Sequence, residues 1–273
     1  MVMSIQTNVS ALNAQRNLMQ TQLMLDSSLS KLSSGYRITK AGDDAAGLGI
    51  SENLRAQIRS AAQAQRNAFD GVSVIQTAEG SLNEISNILI RMRELAMQSA
   101  SDGVGATERG YIDTEFQALI EEIDRIAATA EFNGTALLDG TAVLDFQVGI
   151  RNTANDRITV TIGAADTTTL GVDVAAVDTK ANAQTALGLI DTGIVAVSTL
   201  RADLGALGNR LNSTIANLGV QHENLSAANS RIRDVDVASE TSALTKAQIL
   251  MQAGVGVLAQ ANAVPQVALS LLK

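Results

Sequence analysis

The chain has 273 residues, 46% of them hydrophobic but only 2% aromatic, with a single proline and a net charge of −8. That length allows one large domain or two, and the apolar mass is Ala, Leu, Ile and Val, with Ala and Leu strong helix formers. The acidic balance argues against a nucleic-acid binder with a basic stripe, and the absence of cysteine excludes disulfides and thiolate metal sites.

Residues 1–34 read as a low-charge helix. Ile5, Val9 and Leu12 follow four-three spacing, and Leu18, Leu25 and Leu32 recur every seven, the pattern of an apolar coiled-coil face. No basic stretch followed by an apolar run opens the chain, so a cleaved secretory signal is not expected. Gly35 is placed to end the helix, and residues 36–49 (YRITKAGDDAAGLG) read as an extended connector, with Asp43 or Asp44 capping the helix that follows.

From about residue 45 to 100 the pattern is helical and more polar. Leu82, Ile85, Leu89, Met92 and Ala96 form its ladder, with Arg91 and Arg93 on the outer sides. SDGVGAT at 101–107 is a turn, and a shorter helix follows with Ile112, Phe116, Leu119, Ile123 and Ile126, ending before Asn133-Gly134. Residues 135–178 turn to Thr, Val, Gly and Asp. DFQVGI at 145–150 and RITVTI at 157–162 alternate, and RNTAND between them is turn-rich, which predicts a β-hairpin. A long helix spans about 179–234, where Leu204, Leu211, Leu218, Leu225 and Ile232 recur every seven behind Leu187, Ile190, Ile194 and Val197. RDVDV at 233–237 is a charged seam.

The last stretch, AQILMQAGVGVLAQANAVPQVALSLL at 247–272, carries no charged side chain. Leu244, Met251 and Leu258 recur every seven, and Val255 fills the four-residue offset. A membrane span would leave Gln248, Gln252, Gln260, Asn262 and Gln266 unpaired in lipid, and Pro265 interrupts it. Each buried Leu or Met is worth about 1.5–3 kcal/mol relative to exposure, so two apolar ends call for a cover, and a multi-chain bundle supplies one. The fold expected is mainly α: a long antiparallel helical bundle or coiled coil with one small β-hairpin region, in two discontinuous layers. Residues 1–35 and 239–273 form the inner layer, and 45–134 with 179–234 the outer. Residues 36–49 and 233–238 connect them, and 135–178 hold the hairpin.

Groups that could carry chemistry are sparse. Gly254-Val-Gly256 follows no strand and sits late in an apolar helix, where small residues serve close packing. His222 is the only histidine and cannot make a two-histidine zinc site. Asp234 and Asp236 lack the glycine and terminal glutamate of a calcium loop. No enzyme, cofactor or metal is expected. Asn133, Asn212 and Asn224 open formal glycosylation sequons, and Thr167–Thr169 could carry O-linked sugar, but turn composition explains them.

At four stretches the sequence resembles bacterial flagellin: SIQTNVSALNAQRNL, LSSGYRITKAGDDAAGLGISENLRAQIR, LIRMRELAMQSA and KAQILMQAGVGVLAQANAVPQVALSLL. They occur in order and cover both ends, whereas only a short region stands where larger members insert outer domains, so the chain resembles a minimal flagellin. The resemblance implies a structural, motility-serving subunit that polymerises into a helical flagellar filament outside the cell. Its termini are disordered when free and form a coiled coil on assembly. Type III export, a chaperone on about residues 239–273, and filament cap and hook-junction proteins as partners are also implied. A hook–filament junction protein is the alternative. Arg91, Leu95, Gln98 and Glu115 match positions through which flagellins bind Toll-like receptor 5, an innate immune receptor, on a face that packs axial neighbours in the filament.

Overall fold

The structure is a computed structural model that describes residues 7–270, with side chains to residue 264. Helices dominate as composition requires. They are α1 (Val9–Ser34), α2 (Ala45–Ser99), α3 (Ala106–Thr129), the single turn α4 (Thr167–Leu170), α5 (Lys180–Arg233) and α6 (Val237–Ser270). Among the described residues strands are confined to two antiparallel pairs, β1 (Glu131–Phe132) with β2 (Thr135–Ala136), and β3 (Val143–Gln147) with β4 (Arg157–Thr161). The chain divides into two compact units, one of residues 1–56 and 224–273, the other of residues 57–223. Both α2 and α5 run through the boundary.

The larger unit is built on α2 against α5. Gly71 faces Leu211 and Gly193 faces Leu89, so the helices run antiparallel. Leu82, Ile85, Leu89, Met92 and Ala96 are fully buried, as their three-four spacing predicts. Leu204, Leu211 and Leu218 are buried opposite, while Leu225 and Ile232 continue the repeat into the other unit and are only half-buried. Helix α3 closes this core with Ile112, Phe116 and Ile123. Exposed ion pairs Arg93–Asp191 and Arg201–Glu79 join α2 to α5 and add little stability.

The predicted hairpin is β3–β4, with Leu144 opposite Val160 and Phe146 opposite Ile158. A second, shorter one follows α3. Asn133 (φ 50°) and Gly134 (φ 77°) both take positive φ between β1 and β2, which is what a type I′ turn demands and Asn-Gly supplies. Residues 165–177 have little regular structure, yet they are held. Asp124 accepts hydrogen bonds from the Thr167 N–H and hydroxyl, Asp113 from the Val177 N–H, and Gln117 donates to the Ala175 carbonyl. These three side chains stand on α3 at i, i+4 and i+11, so one polar stripe satisfies the backbone of a segment that has no ladder of its own.

Candidate functional site

In the smaller unit, α1 and α6 pair antiparallel. The Asn8 Nδ2 donates to the Ala261 carbonyl at 2.7 Å, and the Val235 N–H donates to the Gly35 carbonyl at the other end. Asn8 also caps α1 through the Ala11 N–H, and Gly35 at φ 74° closes it with its N–H on the Lys31 carbonyl. The seam on α1 is Ala11, Ala14, Leu18, Thr21, Leu25, Ser28 and Leu32; on α6 it is Glu240, Leu244, Ala247, Met251, Gly254, Leu258 and Ala261. Both sets repeat in threes and fours.

Large residues alternate with small ones along each seam, and Leu18 lies against Gly254. Carried along that antiparallel register, Leu25 falls opposite Ala247, Thr21 opposite Met251 and Ser28 opposite Leu244. A β-carbon on Gly254 would come within 3.1 Å of Leu18 Cγ, so the absent side chain is what admits the leucine.

Leu18, Leu25, Leu32, Leu244, Met251 and Leu258 thus lie on the seam between α1 and α6. Val9, Leu12 and Val255 do not: they are 68%, 57% and 56% exposed on other faces of the pair. Their spacing relates them to one another but sets them off the seam chosen by the small residues. Ile5 lies outside the described residues. Beyond the seam, Met19, Leu23, Met24 and Leu29 of α1 and Val237, Ile249, Leu250, Val257 and Val264 of α6 are also exposed. With Val9, Leu12 and Val255 they make twelve large apolar side chains facing solvent among the described side chains of the two helices, a load that monomeric proteins rarely display in contiguous patches.

The connectors that lead into this pair are zipped together. Tyr36 and Asp234 form an isolated antiparallel bridge, and the Arg37 N–H donates to the Arg233 carbonyl at 2.7 Å. The Arg233 guanidinium stacks 4.6 Å from the Tyr36 ring centroid and pairs with Glu52, an arrangement suited to a planar cation. Hydrogen bonding from Arg233 is the main cause holding the Glu52 carboxyl below its ordinary range. Buried Ser51 donates to Asn229 at 2.8 Å. Of the two capping candidates, Asp44 accepts from the Gly47 N–H and caps α2, while Asp43 closes the loop by accepting from the Lys40 and Thr39 N–H groups and the Thr39 hydroxyl. Those bonds, Lys40 first, lower the Asp43 pKa.

On the larger unit, Arg91 donates to Glu115 from Nε at 3.0 Å and from a terminal nitrogen at 2.9 Å, and also reaches Glu94. The Glu115 bond is the leading reason its pKa is raised. This fork ties α2 to α3, a contact that sequence spacing does not reveal. Arg91, Gln98 and Glu115 are exposed, but Leu95 is 2% exposed and belongs to the core. By spacing Leu95 shares the stripe of Arg91, yet its side chain is packed in the core and is not part of the surface.

Among the described residues no cluster of three or more His, Asp or Glu could hold a metal ion. His222 is half-exposed on α5. What the site offers is apolar helix surface.

Residues 5–143 match the bacterial flagellin N-terminal helical region and residues 187–272 the bacterial flagellin C-terminal helical region. The chain is 47% identical to a flagellin of Halalkalibacterium halodurans over 274 residues, covering 99% of this chain and 100% of the other. It is 44% identical to the flagellar filament 33 kDa core protein of Treponema phagedenis, at 99% and 100% coverage. The crystal structure of Bacillus cereus flagellin aligns at TM-score 0.50 and 36% identity, over 60% of this chain and 94% of that one. A flagellar hook-associated protein structure from Vibrio parahaemolyticus aligns at TM-score 0.59 but 16% identity, over 70% and 100%, a likeness of fold alone.

Proposed function

Because the chain belongs to the bacterial flagellin family, and is the structural subunit that polymerises into the flagellar filament, we propose a division of labour between its parts. The α1–α6 pair with the rest of residues 1–35 and 239–273 forms the inner layer of the filament, and its outward apolar side chains are covered by the same helices of other copies. Residues 45–134 and 179–234 form the outer layer, with 135–178 on it, and torque passes along this stack. The observation that carries this reading is the apolar surface left outside the Leu18–Gly254 seam, too large for a solitary chain. No observation favours the hook–filament junction protein over the filament subunit.

Export proceeds through the flagellar type III apparatus, with a chaperone covering residues 239–273 until release. The filament cap and the hook-junction proteins meet the two ends of the polymer. The exposed fork of Arg91 and Glu115, with Gln98 beside it, packs an axial neighbour in the filament and serves as a Toll-like receptor 5 contact in the monomer. Leu95 supports that face from beneath.

Hydrogen exchange on monomer and filament tests the layering. Amides of α1 and α6 gain strong protection on polymerisation, while those of Leu82–Met92 are protected in both. Equal protection of α1 and α6 in a monomer that never polymerises would defeat it. A receptor-reporter assay in which wild-type and Arg91→Ala monomers are equally inert removes the receptor role.

A further inference from the structure

The larger unit carries a groove of about 790 Å³ between the tip of the β3–β4 hairpin and α5. Val148, Ile158 and Leu218 lie at its base, each no more than 5% exposed, and beside Thr153, Asn155, Ser213, Thr214 and Asn217 they leave an open lining that is more polar than apolar. Two exposed arginines, Arg151 and Arg210, stand on its rim, and neither has a carboxylate partner among the described residues. Asp156 is the one acid on the lining, and it accepts from the Thr153 hydroxyl. Two unpaired cations over a mostly polar lining suit a carboxylate presented beside a short side chain.

The same unit displays such a pair elsewhere. The Ala175 N–H donates to the Val172 carbonyl at 3.1 Å, closing a turn with Asp173 and Val174 at its tip. Val172 and Ala175 are buried and the Val177 N–H is held by Asp113, so the turn is anchored on both sides. Val174 is 75% exposed, the most exposed of the large apolar side chains described, and Asp173 is exposed beside it. A rigid tip loses little conformational freedom when it docks.

We propose that the Asp173–Val174 tip of one copy seats in the Arg151–Arg210 groove of a second copy, with Asp173 at the arginines and Val174 against the groove wall. Tip and groove lie on different parts of the surface, so the contact is heterologous and each copy offers both halves. Such a contact closes into a ring where its rotation allows and otherwise propagates as an open helical filament. The proposal rests on the filament reading and assigns it a specific interface.

The chain has no cysteine, so a Val174→Cys/Ser213→Cys variant carries the only two thiols. Ser213 lines the groove and is exposed. Filaments of this variant treated with a short bismaleimide should give a ladder of multimers on denaturing gels, and unpolymerised protein should give none. In parallel, Arg151→Glu/Arg210→Glu should raise the critical concentration for polymerisation at least tenfold at an unchanged melting temperature. Adding Asp173→Arg should recover most of that loss. Normal filaments that do not ladder, or a charge-reversed variant that polymerises at the wild-type critical concentration, would overturn the contact while leaving the filament subunit intact. Failure of the wild-type chain to polymerise at all would instead remove the reading beneath it.

Discussion

Replacing Gly254 with alanine sets two effects of similar size against each other. Alanine favours a helix interior over glycine by about 1 kcal/mol. The new β-carbon, however, would lie 3.1 Å from Leu18 Cγ and 3.2 Å from Cδ2. Carbon atoms rest at about 3.5–4.0 Å, so the pair must open by roughly 0.5 Å, and overpacking of this kind costs about 1–3 kcal/mol. The net change is a loss of about 0–2 kcal/mol. At Gly256, two residues on, nothing lies within 4 Å, so the same substitution keeps the propensity gain within the pair. The decisive measurement is a double-mutant cycle on the critical concentration for polymerisation, followed by sedimentation, where a tenfold change is about 1.4 kcal/mol. Leu18→Ala alone weakens assembly, but in its presence Gly254→Ala becomes favourable, giving a coupling of about 1 kcal/mol or more. Gly256→Ala couples with Leu18→Ala much less. If Gly254→Ala and Leu18→Ala add to within about 0.3–0.5 kcal/mol, the large-against-small seam is refuted.

Leu89→Ala, at a fully buried site between α2 and α5, should destabilise the larger unit by about 2–5 kcal/mol, read from the urea midpoint, with helix content in the remaining native protein unchanged. Asp124→Ala leaves the Thr167 N–H and hydroxyl without their acceptor; a loss of about 1–3 kcal/mol should appear as faster amide exchange around Thr167–Val172. Glu52 has a depressed pKa in the folded chain, so its contribution is present above its unfolded value of 4.5 and lost as pH falls through the lower folded value. Glu52→Gln should therefore flatten the acid limb of the stability profile below about pH 4.5, and an unchanged limb would show that the Arg233 pair does not contribute.

The helix-and-hairpin plan was legible because α2, α3 and α5 each bury one face and expose the other. Their ladders therefore carry a clean period, as the inward stripe from Leu82 to Met92 illustrates. The terminal helices were legible only in part. Their apolar residues lie on more than one face, so Val9, Leu12 and Val255 looked equivalent to Leu18 and Met251. The residues that choose the seam, Ala11, Ala14, Ala247 and Gly254, carry almost no hydrophobic signal, because their role is to leave room. Leu95 was hidden for a related reason: Arg91, Leu95 and Gln98, at i, i+4 and i+7, span about a sixth of a turn, and Leu95 stands at the edge that borders the core. The polar stripe of Asp113, Gln117 and Asp124 was silent in sequence because its partners are backbone groups 43 to 64 residues away.

The alternation of bulky and small side chains between α1 and α6 also limits how the two helices can slide. A slip of three or four residues would drive Leu18 onto Met251 or Leu258, whereas a slip of seven returns leucine to a small partner. The allowed steps are thus about 10 Å long, seven residues at about 1.5 Å each. The pair behaves as a ratchet with coarse teeth, stiff to displacements shorter than one tooth.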